Sequence, residues 1–355
     1  MKFTGPCVPG SMPCRRPSRL RARGRAGIVK PFVTPSHTTK YLLLLVKVAL
    51  LIGLSWYAFQ RIDLASAWAT LIAIPLSAVL AAVIMLFLQF VIGAYRLREL
   101  LGQMGHKYRL TAALDTNMVG AFFSQTLVSF IGGDAMRIWR MIRNHVTAST
   151  ATKSVLLDRI SGFAGVVAIV LVTIPLLVPM LQSIEMKLGL LLIGAGVLAG
   201  IFSVFVLRRL PQRIRTGRIL GGLWRFASLG LDIMRSRRGA LYVLGLSVLI
   251  QVINVLVLYS LGQGLSIHMA LGHYFVFMPV VLFLSMLPIS IAGWGVREGA
   301  MVAALAVVGV PADQSLALSI CFGLCLIFVS LPGGLIWFVS RGKPLPAKAQ
   351  AEPHP

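Results

Sequence analysis

Apolar residues along this chain come in unbroken runs, not in the one-sided stripes of a soluble helix bundle. Six runs reach the roughly 20 residues that a bilayer-crossing helix needs: 41–60, 70–94, 160–181, 187–207, 240–262 and 314–339. Two further regions are apolar but irregular. Residues 112–131 carry Asp115, Asn117, Ser124 and Gln125, and residues 273–309 are long enough for two short spans or one deep hairpin. The pattern predicts an all-α membrane protein, a polytopic helical bundle of about 6–8 transmembrane helices with one or two re-entrant hairpins.

Composition agrees. Of 355 residues, 57% are apolar and 12% charged, and the mean hydropathy is +0.85. A soluble globular chain carries about 25% charged residues. A net charge of +24 would suggest nucleic acid if the chain were soluble. Here the cations sit in blocks between apolar runs, as in cytoplasmic segments that meet anionic lipid. No exposed domain is left to read bases, so nucleic acid is excluded as a partner. Cys7 and Cys14 fall in the N-terminal arm, and Cys321 and Cys325 lie four apart in an apolar helix as small buried hydrophobes. No His joins them at ligand spacing, so neither a metal nor another cofactor is expected.

The charge blocks set the domains and the topology. Residues 1–40 form a basic arm, read as disordered and cytoplasmic, or as the product of a start placed too far upstream. Pro6, Pro9, Pro13 and Pro17 argue against a transit peptide. Residues 41–340 form the membrane domain, and 341–355 a basic cytoplasmic tail. Segments 96–109 (Arg96, Arg98, Lys107, Arg109) and 137–159 (Arg137, Arg140, Arg143, Lys153, Arg159) both read as cytoplasmic. The region between them therefore enters and leaves on one side, as a re-entrant hairpin. A tilted span that breaks the rule is the alternative. Segment 208–238 is inside and 263–272 outside, so 273–309 must go in and come back. The reading is a multi-pass protein of a bacterial-type inner membrane with both termini cytoplasmic.

The two irregular regions share a local pattern. One reads Ser129-Phe130-Ile131-Gly132-Gly133-Asp134-Ala135-Met136-Arg137, the other Ser290-Ile291-Ala292-Gly293-Trp294-Gly295-Val296-Arg297-Glu298. Each follows an apolar segment with a glycine break and an Arg near an acid. Matched breaks in two halves are the sequence sign of a transporter site and fit an inverted repeat. Asp134 could cap the helix that follows, and Asp158-Arg159 opens the next span. Three acids, Asp134, Asp158 and Glu298, thus lie close in sequence to Arg137, Arg159 and Arg297. Ionisable residues in a membrane are functional candidates by default. Capping and structural ion pairing that neutralises all six is the competing reading. Gln89, Gln251 and Asn254 read as interhelical hydrogen-bonding residues.

The segments "FFSQTLVSFIGGDAMRIWRM", "ATKSVLLDRISGF", "LPISIAGWGVREGAMVAAL" and "LPGGLIW" resemble the transmembrane flippase-like region of lysylphosphatidylglycerol synthases. The resemblance covers roughly residues 40–340. It implies a role in moving or handling lipids: aminoacylated phosphatidylglycerol, polyprenyl-linked glycans or hopanoid-type lipids. It carries over as substrate-binding positions Gly132, Gly133, Asp134, Arg137, Asp158, Arg159, Gly295, Arg297 and Glu298. Full-length synthases resemble this region followed by a soluble aminoacyltransferase domain. Here only about 15 residues follow the last span, so this chain is not expected to make lysyl-lipid itself.

Three functions are compatible with these residues. The first is a lipid flippase or lipid-handling transporter acting on an anionic or phosphate-bearing lipid. Arginine would meet the phosphate, and with no GxxxxGK[ST] loop the chain would not hydrolyse ATP. The second is a membrane-embedded transferase on a polyprenyl or glycan lipid, which no DxD or DDxxD run supports. The third is a non-catalytic partner of a lipid-modifying enzyme, docked through 208–238. Oligomeric state is not legible in the sequence.

Overall fold

A computed structural model describes residues 71–126, 130–177, 237–286 and 294–340. The arm 1–40, the tail 341–355, the spans expected at 41–60 and 187–207, and nearly all of the basic segment 208–238 lie outside these residues. So does Gly293. The described residues contain eight helices and no strand.

Four helices are long and apolar enough to cross a membrane: α1 (Leu76–Gln103), α4 (Ala148–Leu177), α5 (Arg237–Gly264) and α8 (Ala312–Ser340). Between them lie two pairs of short helices, α2 (Leu110–Thr126) with α3 (Phe130–Arg143), and α6 (Leu271–Met286) with α7 (Val296–Ala306). At about 1.5 Å per residue the 17 residues of α2 and the 11 of α7 are shorter than a hydrocarbon core. The two irregular regions of the sequence are therefore helix pairs, each packed on itself. The polytopic helical fold is as the sequence predicts.

The order long, short, short, long occurs twice, and the repeat is structural. An offset of 161 residues carries α1 onto α5 (76 to 237, 103 to 264). It also carries one helix ending onto the other. His106 N–H bonds to Leu101 O around Gly105 at φ 81°, and Ile267 N–H bonds to Gly262 O around Ser266 at φ 58°. An offset of 164 then relates the next ending: Val146 N–H to Met141 O around His145, and Val310 N–H to Leu305 O around Gly309. These bonds close the last carbonyls of each helix with a left-handed residue.

Packing follows the same exchange. α2 packs on α8 as α6 packs on α4, and α4 packs on α5 as α8 packs on α1. The central pair is α1 against α5, and these equivalent helices run antiparallel: Arg96 meets Ser247 at one end, while Gly264 lies against Ala78 at the other. Equivalent helices of opposite direction define an inverted repeat.

Two glycines let α2 and α3 touch backbone to backbone. A Cβ on Gly133 would overlap Ser124 Oγ and the carbonyl of Gly120, and a Cβ on Gly120 would overlap the stem of Arg137. The glycine motif that reads as a helix break thus lies inside α3, and Asp134 with it. Asp134 is not a cap. Phe130 begins the helix, and the glycines serve close approach.

Candidate functional site

Between α1, α2, α3 and α4, with one residue of α5, lies a cavity of about 290 Å³. Its walls include Gln89, Gly93, Arg96, Asn117, Ser124, Asp134, Arg137, Asp158 and Arg159. The five charges come from three helices. Arg96 projects from α1, Asp134 and Arg137 share one face of α3 at i, i+3, and Asp158 and Arg159 stand ten residues into α4.

Asp158 is the hub. Its Oδ1 accepts from Arg96 Nε at 2.7 Å and its Oδ2 from Arg137 Nη2 at 2.8 Å. Arg96 Nη1 donates to Ser247 Oγ at 3.1 Å, and Arg137 Nη2 also donates to Asn117 Oδ1 at 2.9 Å. Asp134 takes a two-pronged bond from Arg159, Nε and Nη2 each at 3.0 Å. Arg137 Nη1 stands 3.9 Å from Asp134. Arg96 and Asp158 are only 9% and 6% exposed, so these charges interact far more strongly than in water. Three guanidiniums face two carboxylates, which leaves one positive charge over among the described residues. Two buried polar atoms on the cavity residues have no partner, Arg137 Nε and Gln89 Oε1. Asn254 bonds to Gln251 within α5, at 3.3 Å.

A second cluster sits in the other half. Gly295, at φ 83°, precedes α7, and its N–H donates to Glu298 Oε2. Positive φ there is open to glycine and costly to other residues. Arg297 Nη2 meets Glu298 Oε1 at 3.0 Å, and its Nε meets Ser319 Oγ at 3.1 Å. The guanidinium stacks on Trp294 and faces Phe322, at 4.8 and 5.7 Å from the ring centres. This cluster shares no lining residue with the cavity.

The nine positions picked from the sequence thus divide. Asp134, Arg137, Asp158 and Arg159 converge on the cavity, and Gly133 holds its α2–α3 wall, with Gly132 beside it in the first turn of α3. Gly295, Arg297 and Glu298 form the separate cluster. The hydrogen-bonded ion pairs do not follow sequence neighbours, except at Arg297-Glu298; Asp134 and Arg137, three apart, meet at 3.9 Å. Arg96, expected in a cytoplasmic segment, is a buried member of the cavity because α1 continues to Gln103. Its partner lies 62 residues away. Asp115, noted in the sequence as a polar residue of 112–131 but not as a site residue, accepts from Arg140 Nε and Nη2 at 2.8 and 2.6 Å, and Arg140 reaches Ser340 at 2.8 Å. Cys321 and Cys325 are free and buried, as expected.

The repeat puts the two clusters in register. At offset 164 Asp134 corresponds to Glu298 and Arg159 to Gly323. The Arg297 guanidinium lies over Gly323. Both halves therefore hold an acid and a guanidinium at one place, supplied from different helices. The triad Arg96–Asp158–Arg137 has no such echo. Its counterparts are Val257, Phe322 and Met301, all buried apolar core.

A helical membrane protein built as an inverted repeat, with an ionic cavity among the helices of its first half, is the class these features define. The family model of the lysylphosphatidylglycerol synthase TM region matches residues 44–333, and the chain belongs to this family. Membership places its role with membrane lipids. No curated protein matches the chain.

Proposed function

We propose that the protein moves a lipid across the membrane by passing its phosphate-bearing headgroup through the cavity between α1, α2, α3 and α4. The observation that carries this reading is the asymmetry of the repeat. The fold packs Val257, Phe322 and Met301 where the other half keeps Arg96, Asp158 and Arg137. Buried ion pairs exchanged for well-packed apolar residues are often neutral or stabilising, so the architecture does not need the triad. A ligand does. The unbonded Arg137 Nε suits an anion, and a guanidinium matches phosphate oxygens in pairs. The cavity admits a headgroup and not the acyl chains, which stay in lipid. In this reading the membrane is the bacterial inner membrane, with both termini cytoplasmic.

Reconstitution with headgroup-labelled phospholipid and leaflet-specific quenching tests it. Arg137→Ala abolishes transfer between leaflets, while Arg137→Lys, which keeps the charge and loses the fork, retains a reduced rate. Normal transfer by a well-folded Arg137→Ala protein would overturn the assignment.

A further inference from the structure

A larger cavity, about 910 Å³, lies on the opposite face of α1. Tyr95, Arg98, Glu99 and Gly102 line it, spaced i, i+3, i+4 and i+7 as one helix face. Gln89, Gly93 and Arg96, at i, i+4 and i+7, face the ionic cavity instead. The helix separates the two. The α1–α2 connection adds Lys107 and Arg109, and α5 adds Tyr242.

We propose that this cavity binds the headgroup of an anionic phospholipid that is held and not transported. Three cations, Arg98, Lys107 and Arg109, face one acid, Glu99, which Gln103 Nε2 engages at 3.0 Å. Tyr95 and Tyr242 are exposed, 40% and 49%, and aromatic side chains of this kind favour headgroup depth. A route for acyl chains continues from the cavity. On α1 the exposed Ile84 and Leu88 lie on the face of Tyr95, and on α5 the exposed Leu249 lies two turns from Tyr242 on its face. An apolar surface that ends in a basic cup fits a phosphodiester lipid better than a soluble anion, which has no use for the apolar side chains. The repeat again shows that the fold does not require these cations. Their counterparts at offset 161 are Tyr259 for Arg98, His268 for Lys107 and Ala270 for Arg109. The inference is independent of the transport reading, because no residue of the ionic cavity takes part.

The test is native mass spectrometry of the purified full-length protein with phosphatidylglycerol or phosphatidylcholine of matched chains. The wild type retains a phosphatidylglycerol adduct in preference to phosphatidylcholine, and excess inorganic phosphate does not displace it. Arg98→Gln/Lys107→Gln/Arg109→Gln lowers that retention about tenfold or more. Glu99→Gln raises it, a change of opposite sign that misfolding would not produce. Equal retention by the triple variant or displacement by inorganic phosphate would each overturn the proposal.

Discussion

Asp158 holds two arginines that lie 62 residues before it and 21 residues before it in the chain. Removing one member of a buried ionic group leaves the rest uncompensated, at a cost of about 3–5 kcal/mol. Asp158→Asn exposes two guanidiniums to that penalty, so its melting temperature in detergent falls further than that of Arg96→Ala, which leaves Asp158 paired with Arg137. A smaller fall for Asp158→Asn would show that another group shares the load. The acids and arginines themselves were legible in the sequence, since ionisable residues in apolar surroundings declare themselves. Their partners were not. A positive-inside rule counts Arg96 as an interfacial cation. Only the fold reveals that a carboxylate beyond the next two helices draws it inward.

The crossing of α2 and α3 is decided where side chains are missing. A Cβ on Gly133 meets both a side chain, Ser124, and a backbone carbonyl, Gly120. Gly133→Ala therefore overpacks the crossing by about 1–3 kcal/mol. Ser124→Ala removes only the side-chain half of the clash, so the double variant recovers part of the lost stability in the same melting experiment. Full recovery would mean that the backbone contact is slack. The sequence marked this place correctly and misread its purpose. A glycine pair signals either a helix end or a close approach, and local pattern does not separate them. Here the helix begins three residues before Gly133 and runs through it. Gly295, in contrast, is a helix start with positive φ, as a break should be.

For the whole molecule, the interior and the membrane are equally apolar, and this limits what hydropathy can tell. On α8 the exposed residues Leu324, Phe328, Leu331, Leu335 and Phe338 form one stripe at helical spacing. Phe322, Cys325 and Val329, toward the other side, are buried. The two faces differ in what they touch and not in polarity, so the sequence gives the span but not its rotation. Cysteine labelling distinguishes them. In a background with the four native cysteines replaced, Ala121→Cys, on the cavity wall, reacts with a membrane-impermeant maleimide, and Leu335→Cys does not. Equal reaction at both positions would contradict the lipid-facing assignment. The repeat was legible only as two matched breaks. Its proof lies in helix endings and packing partners that no single segment contains.

The carboxylate shared by Arg96 and Arg137 has one more consequence. When an arginine with a private partner turns toward a visiting anion, it strands a bare negative charge in a medium that cannot solvate it. Asp158 is never alone in this way, because Arg96, itself bonded to Ser247, stays behind. Arg137 is thus free to change hands, like a bridging ligand in an exchange reaction. That exchange rearranges the bonds of Arg137 to Asp158 and Asn117 and leaves no naked carboxylate along the way.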